Sequence, residues 1–467
     1  MKRCPECRRD YYDDSLFYCL DDGSPLGGSA AVDEPITEVF QNTEPPSDRG
    51  ADTPDFLHGR EEDKFHSADN RFWVAVLPFD HFGTDSVLEF LANGLTQDIV
   101  TGLSRFSYLR VIEGDSSERQ SASGKISRSA RAGVTAEYLI RGSVRQVGAA
   151  LRITVQLVEA NSGGYLWAEN YDRPFHPDDI FKIQDEVVPR IVSTIADMHG
   201  VLPHAMSETL RGRDPKGLSP YEAVLRAFGY IERITAAEHS DVRAILEAAV
   251  EGAPEHADCW AMLSFMYAEE HKHGFNERPD PLGRALDAAR RAVAMAPSDN
   301  LAHHVLAQAL FFRREFDAFQ NIAERAVALN PMDGGTIAFM GILLSYAGEW
   351  ERGCSLAETA MALNPHHPGW YRFSAFNNAF RKGNHIEALD VALKFNMPSY
   401  FYTHVALAAV YGHLEREEGA KEAIRELLEL KPDFATVGRT EMKKWFVEAD
   451  LLETYIEGLR LAGLHVE

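Results

Sequence analysis

The sequence predicts three structural classes in one chain: a small metal-stabilised knuckle, a mixed α/β domain, and an all-α superhelix of repeated helix pairs. Three observations carry this expectation. Cys4, Cys7 and Cys19 crowd the N-terminal segment. Between Phe72 and His199 the apolar pattern alternates between strand and helix periods. Beyond Pro220, prolines recur at 254, 297, 331, 365, 398 and 432, at intervals of 43, 34, 34, 33 and 34 residues.

Cys4-Pro-Glu-Cys7 is one half of a zinc ribbon. The second half should read Cys-x-x-Cys-Gly, and the chain offers Cys19-Leu-Asp-Asp22-Gly23 instead. Asp22 stands where the fourth cysteine belongs, and carboxylate oxygen reaches zinc at about the distance of imidazole nitrogen. Asp13, Asp14, Asp21 or a water are the alternatives. Residues 1–27 have no other evident way to fold, whereas structural zinc supplies roughly 10 kcal/mol or more. A structural Zn²⁺ held by Cys4, Cys7, Cys19 and Asp22 is therefore expected. A catalytic zinc would need a substrate pocket nearby, and nothing in the segment forms one.

Residues 28–71 are poor in apolar side chains and rich in Pro, Gly, Asp and Glu. They read as a disordered acidic linker, because little buried surface offsets their ordering entropy. An α/β domain follows over 72–200. "FWVAVLPF" is a short apolar run typical of a strand buried on both faces. Ser86-x-x-Glu89 is a capping box opening a helix with Leu88, Leu91, Leu95, Ile99 and Leu103 on one face. "LRVIEG", "EYLIRGSVRQV", "LRITVQLVEA" and "YLWAENYD" read as strands, the last three as an antiparallel meander. A helix carrying Ile180, Ile183, Val187, Ile191 and Ile195 ends the domain.

From 220 to 435 the 34-residue period is the tetratricopeptide length. Trp260, Leu263, Ser264 and Tyr267 match the first-helix pattern W-x2-L-G-x2-Y, with Ser for Gly. Gly341, Gly348, Trp350, Ala360, Leu363 and Pro365 take their places in the fourth of about six repeats. The long interval places an insertion near "EEHKHGFNERPDP", and the fifth repeat is offset by one residue. Residues 436–467 are expected to form a C-terminal capping helix.

Composition sets the outer bounds. The 467 residues carry a formal charge of −24 and 45% apolar content. That charge argues against nucleic acid, since phosphate binding rests on Lys and Arg displacing counterions. No run approaches the roughly 18–20 apolar residues of a membrane span. Lys2 and Arg3 are followed by no apolar run, so no secretory signal is expected. Five cysteines, three of them clustered, suit a reducing compartment, and a cytoplasmic location is expected.

Catalytic constellations are not legible. Gly124-Lys125 lacks the G-x4-G-K-[ST] spacing that wraps phosphates, and G-x-S-x-G, H-E-x-x-H and G-x-G-x-x-G do not occur. His271 and His273 read as solvated histidines of the insertion. His303–His304 and His366–His367 are adjacent pairs pointing apart. Trp167 and Tyr171 read as core.

"AVLPF", "FLANGLTQDIVTGLSRF" and "YLIRGSVRQVGAALRITVQLVEANSGGYLWAENYDRPFHPDDIFKIQDEV" together resemble the TolB-N-terminal-like domain, over Phe72–His199. That resemblance implies a domain that commonly precedes tetratricopeptide repeats in bacterial class III adenylate cyclase-like proteins and winged-helix regulators. The opening "CPECRRDYYDDSLFYCLDDGSPL" is similar to ribbons heading bacterial signalling proteins. Relatives place a cyclase or DNA-binding domain ahead of the TolB-like part, and here no unassigned stretch is long enough for a cyclase.

The reading is thus a non-enzymatic interaction protein, a scaffold or signalling adaptor that takes a protein or peptide partner in the repeat groove. The alternative is a transcriptional regulator docking on nucleic acid through the ribbon. Inner first-helix positions give His304, Gln308, Phe311 and Phe312 in the third repeat and Ile342 and Tyr346 in the fourth. The fifth adds Phe376 and Asn378. Cations are scarce at these positions, so the groove is expected to accept an apolar segment, such as a helix laid in by one face.

Overall fold

The computed structural model describes residues 72–82, 86–114 and 136–467, together with the backbone of two short strands, β1 (Lys2–Arg3) and β2 (Asp10–Tyr11). The chain divides into two compact units, Met1–Asn70 and Arg71–Glu467. In the first, β1 and β2 pair antiparallel, Lys2 opposite Tyr11. The expected zinc ligands Cys4, Cys7, Cys19 and Asp22 lie outside the described residues.

The second unit opens with a small mixed sheet. Its strands are β3 (Trp73–Val76), β4 (Asp80–Phe82), β5 (Arg110–Glu113), β6 (Tyr138–Val147), β7 (Ala150–Glu159) and β8 (Tyr165–Pro174). They lie in the order β5-β3-β6-β7-β8, with β4 paired to β6. β3 runs parallel to both neighbours, so its Val74, Ala75 and Val76 are fully buried, as the continuous apolar run requires. β6, β7 and β8 form the expected antiparallel meander. Along β7, Leu151, Ile153, Val155 and Leu157 face inward, each contributing about 1.5–3 kcal/mol of apolar burial. Tyr171 is buried and Trp167 only half so. Helices α1 (Ser86–Leu103) and α2 (Ile180–Ala196) cover the sheet with their apolar stripes, and α3 (Val201–Thr209), which periodicity had not marked, leads onward.

Six antiparallel helix pairs follow. They are α4 (Pro220–Arg233) with α5 (Ala236–Gly252), α6 (Ala257–His273) with α7 (Pro281–Met295), and α8 (Asn300–Phe312) with α9 (Phe316–Leu329). The rest are α10 (Gly334–Tyr346) with α11 (Trp350–Leu363), α12 (Phe373–Arg381) with α13 (His385–Ala392), and α14 (Phe401–His413) with α15 (Glu417–Leu430). Side-chain caps set several starts: Ser219 and Glu222 form a reciprocal capping box on α4, and Asp299 and Asp333 accept first-turn N–H groups of α8 and α10. Apart from Pro398, each recurrent proline falls just past a second helix, where it cannot continue the helix.

Two departures matter. The insertion does not begin as a loop: α6 runs on into it as far as His273, so His271 and His273 sit in its last turn rather than in solvent. The fifth pair is truncated, with a 3₁₀ turn over Gly369–Arg372 before α12 and an irregular segment between α13 and Pro398. The two irregular stretches cross in backbone contact. A Cβ on Gly369 would lie 1.5 Å from the Phe395 carbonyl oxygen, so only glycine fits.

Where one capping helix is expected, two form: α16 (Phe434–Trp445) and α17 (Ala449–Leu461). Instead of ending the stack, they fold back over the first helices of repeats three to six. α17 lies on α14 at glycine distance, since a Cβ on Gly412 would stand 2.0 Å from the Gly458 carbonyl oxygen. Tyr455 of α17 donates to Asn377 Oδ1 of α12 at 2.7 Å. Trp350 Nε1 donates to Glu448 ahead of α17, and the Arg314 guanidinium to the Lys443 and Lys444 carbonyls of α16.

The sheet layer is fastened to the repeats through buried contacts. Tyr108 stands edge-on to Phe228 of α4 and donates to the Ala196 carbonyl at 2.6 Å. Ser193 and Asp197, at the end of α2, abut Gly334 of α10.

Candidate functional site

With its far side covered by α16 and α17, the concave face narrows to a cavity of about 820 Å³. Four kinds of segment build its wall: the first helices of repeats, the irregular stretches 365–373 and 394–400 of repeat five, the C-terminal pair, and the α2–α3 junction with Met198 and His199. The wall is aromatic. Phe265, Phe339, Trp370, Phe373, Phe395, Tyr400 and Trp445 all reach it.

A buried ion pair anchors the floor. Lys272 and Glu269, one turn apart on α6, are 7% and 1% exposed and hydrogen-bonded to each other. Glu269 also accepts from Tyr230 at 3.1 Å and sits 3.3 Å from His273 Nε2. Burial alone would push the Glu269 carboxyl up, but the Lys272 ammonium and His273 outweigh it and hold the group well below its usual range. The Lys272 ammonium also stands 5.3 Å from the Phe265 ring, 5.2 Å from Phe339 and 5.4 Å from Trp445. Three ring faces thus stabilise a cation that has left water.

His304 stacks on Phe339 at 5.2 Å, and its Nδ1 lies 3.0 Å from Thr336 Oγ1. Thr336 spends its own hydroxyl proton on Asp333, so Nδ1–H of His304 donates and Nε2 is left as an acceptor. Burial, reinforced by Lys272 and His199, brings the His304 pKa down to about 3, so the ring is neutral. Next to it, Asp197 accepts from the His199 amide at 2.8 Å, and burial pushes its carboxyl up to about 7, against the pull of His199 and with the push of Asp333.

The mouth lies in repeat five. His366 and Lys394 are exposed there, and Arg372 is half-buried. The Arg372 guanidinium donates to His367 Nε2 at 3.2 Å, while His367 Nδ1 donates to the Pro368 carbonyl. Burial lowers the His367 pKa, with Arg372 adding to the effect, which agrees with a neutral ring.

Of the partner residues expected from sequence, the structure brings His304, Ile342 and Tyr346 together on the cavity wall. Gln308 is fully buried away from it, with neither amide atom hydrogen-bonded among the described residues. Phe311 turns outward against Phe316 and Phe319 in the core of its own repeat. Phe312 is covered by Trp445 at 5.1 Å. Phe376 packs among Phe380, Phe395 and Tyr455, and Asn378 accepts from Arg381 Nε. The neighbouring Asn377 reaches the cavity instead, linking Tyr346 to Tyr455.

Sequence reasoning missed Lys272, Arg372, Lys394 and Trp445. One signal was available. All thirteen residues of α8 and twelve of thirteen in α10 are buried, and both helices are mostly apolar around their circumference, as expected when the concave side is covered. Among the described residues no three His, Cys, Asp or Glu side chains are placed to hold a metal ion, and no helix is long and apolar enough to cross a membrane.

No protein-family profile matches the chain. It is 32% identical over 245 residues to a protein named "Putative adenylate cyclase 3" from Rhizobium meliloti (strain 1021). The match spans 52% of this chain and 41% of that one, so the chain covers less than half of the relative's length. Among solved structures, Pseudomonas aeruginosa PilF is 14% identical with a TM-score of 0.34, over 46% of this chain and 92% of that one. Human IFIT1 bound to m7Gppp-AAAA is 14% identical with a TM-score of 0.42, over 54% and 60%. YrrB, a TPR protein with an unusual peptide-binding site, is 17% identical with a TM-score of 0.28, over 40% and 93%.

Proposed function

We propose that this chain is a non-enzymatic recognition protein, a cytoplasmic scaffold or signalling adaptor whose binding site is the cavity rather than the full length of the repeat groove. The observation that supports the reading is a half-open cavity of about 820 Å³, lined by aromatic rings and floored by a fixed ion pair. Ligand sites are typically such concave, mostly apolar clefts with a few placed polar groups. The partner contributes a short segment or a chemical group, because α16 and α17 already fill the space a helix would take.

In this reading the 72–200 portion is a TolB-like domain and the N-terminal segment a zinc ribbon with Cys4, Cys7, Cys19 and Asp22 as ligands. The match spans 41% of the Rhizobium meliloti protein, so the cyclase activity in its name is not read onto this chain. The test is capture from a bacterial lysate, identified by mass spectrometry, with the intact protein, with Ile342→Trp and Met397→Trp, which fill the cavity, and with Ile386→Ser on the outer surface. Partners should be lost from both filled variants and kept by Ile386→Ser. Equal capture by all four proteins would refute the cavity as the site.

A further inference from the structure

The cations of the cavity differ in how they are neutralised. Lys272 is paired with Glu269, and Arg233 with Glu208 and Glu238. Among the described residues, Arg372 has only the neutral His367 ring, and the Lys394 side chain has no ion-pair or hydrogen-bond partner. Two uncompensated cations thus share the mouth of one cleft in a chain of net charge −24. The carboxylates of the lining, Glu232 and Glu269, face His199 and Lys272, so cations are in excess. A low-dielectric cleft with an excess of one sign of charge attracts the opposite sign.

The sequence puts these cations beside aromatic rings. Arg372 lies between Trp370 and Phe373, and Lys394 precedes Phe395. Phe373 meets Phe395 at 4.7 Å and Tyr400 at 6.2 Å, and Trp370 packs against His199 at 5.3 Å. The Gly369–Phe395 backbone contact fixes both stretches relative to each other, so the wall exists before any ligand arrives. Inward from the mouth, His304 Nε2 offers one acceptor, and two N–H groups of Lys272 have no acceptor among the described residues.

Building on the cavity reading, we infer that the group recognised is an organic acid. Its planar apolar body seats against Trp370, Phe373 and Tyr400, and its anionic group is held at the mouth by Arg372 and Lys394. A free small acid and the acidic and aromatic side chains of a partner segment share this chemistry.

The experiment is isothermal titration calorimetry of the full chain with three probes: naphthalene-2-carboxylate, the neutral naphthalene-2-methanol, and an acetylated, amidated Phe-Glu-Phe peptide. The carboxylate should bind one to one and at least about tenfold tighter than the alcohol. Arg372→Ala/Lys394→Ala, with an unchanged circular dichroism melt, should abolish that preference. Tighter binding of the peptide than of the carboxylate assigns the acid to a partner chain, and binding of the carboxylate alone assigns it to a free acid. Equal affinity for carboxylate and alcohol, a preference that survives the double substitution, or no binding of any probe would overturn the inference. If partner capture is still lost from Ile342→Trp in those cases, the cavity reading stands and only the acid falls.

Discussion

The Lys272–Glu269 pair gives the sharpest test of the cavity floor. Glu269→Gln keeps the volume and removes the charge, leaving the Lys272 ammonium buried with only ring faces around it. Losing one partner of a buried pair costs about 3–5 kcal/mol, and ring faces return no more than about 2 kcal/mol. Lys272→Met is expected near the lower end, about 3 kcal/mol, because Glu269 keeps Tyr230 and His273. The double substitution leaves two neutral groups of similar volume and should cost less than either single change, a coupling of at least about 3 kcal/mol. Guanidinium unfolding of the four proteins at pH 7.5, followed by far-ultraviolet circular dichroism, measures this. Glu269 is held below its ordinary value of 4.5, so its contribution is complete above that pH and is lost as the pH falls through the folded value. Losses that simply add would show that the two side chains do not meet in solution.

Three further outcomes are expected. Gly369→Ala drives a Cβ into the Phe395 carbonyl and should destabilise by about 3 kcal/mol in the same assay, whereas alanine at the open Gly383 can only add its positive-φ strain. Asp197→Asn should stabilise at pH 8, by at most about 4 kcal/mol. The raised folded pKa of about 7, against 3.8, means that the stability due to this group is full below 3.8 and lost as the pH rises through 7, so the gain should vanish near pH 4. Protein purified without chelators should carry about one zinc per chain by elemental analysis, with Asp22→Ala weakening retention and Cys7→Ser abolishing it.

The repeats were legible because their constraints are local. A proline after each second helix, a cap before several first helices and a 34-residue period need no tertiary knowledge. The strands were legible for the same reason, as Leu151, Ile153, Val155 and Leu157 alternate cleanly with Arg152, Thr154 and Gln156. The covered concave face was not, because it depends on where a distant helix pair lands. Trp445 and Tyr455 look like ordinary core residues of an amphipathic helix, and nothing in their spacing says that they meet Phe312 and Asn377. Phe311 was placed in the groove by counting repeat positions, and a helix buried on every side gives no burial signal to correct that count. The mouth arises where repeat five breaks the pattern, and its one-residue offset was the visible trace of that break.

Hydrogen–deuterium exchange on the full chain, alone and with a captured partner or saturating naphthalene-2-carboxylate, tests the central claim most directly. If recognition takes place in a cavity that α16 and α17 close permanently, amides of Gly369–Phe373 and Leu393–Tyr402 should gain protection on binding, while those of Leu451–Leu459 stay protected throughout. Loss of protection over Leu451–Leu459 on binding would show that the ligand displaces the C-terminal pair and occupies the groove itself, which contradicts the account.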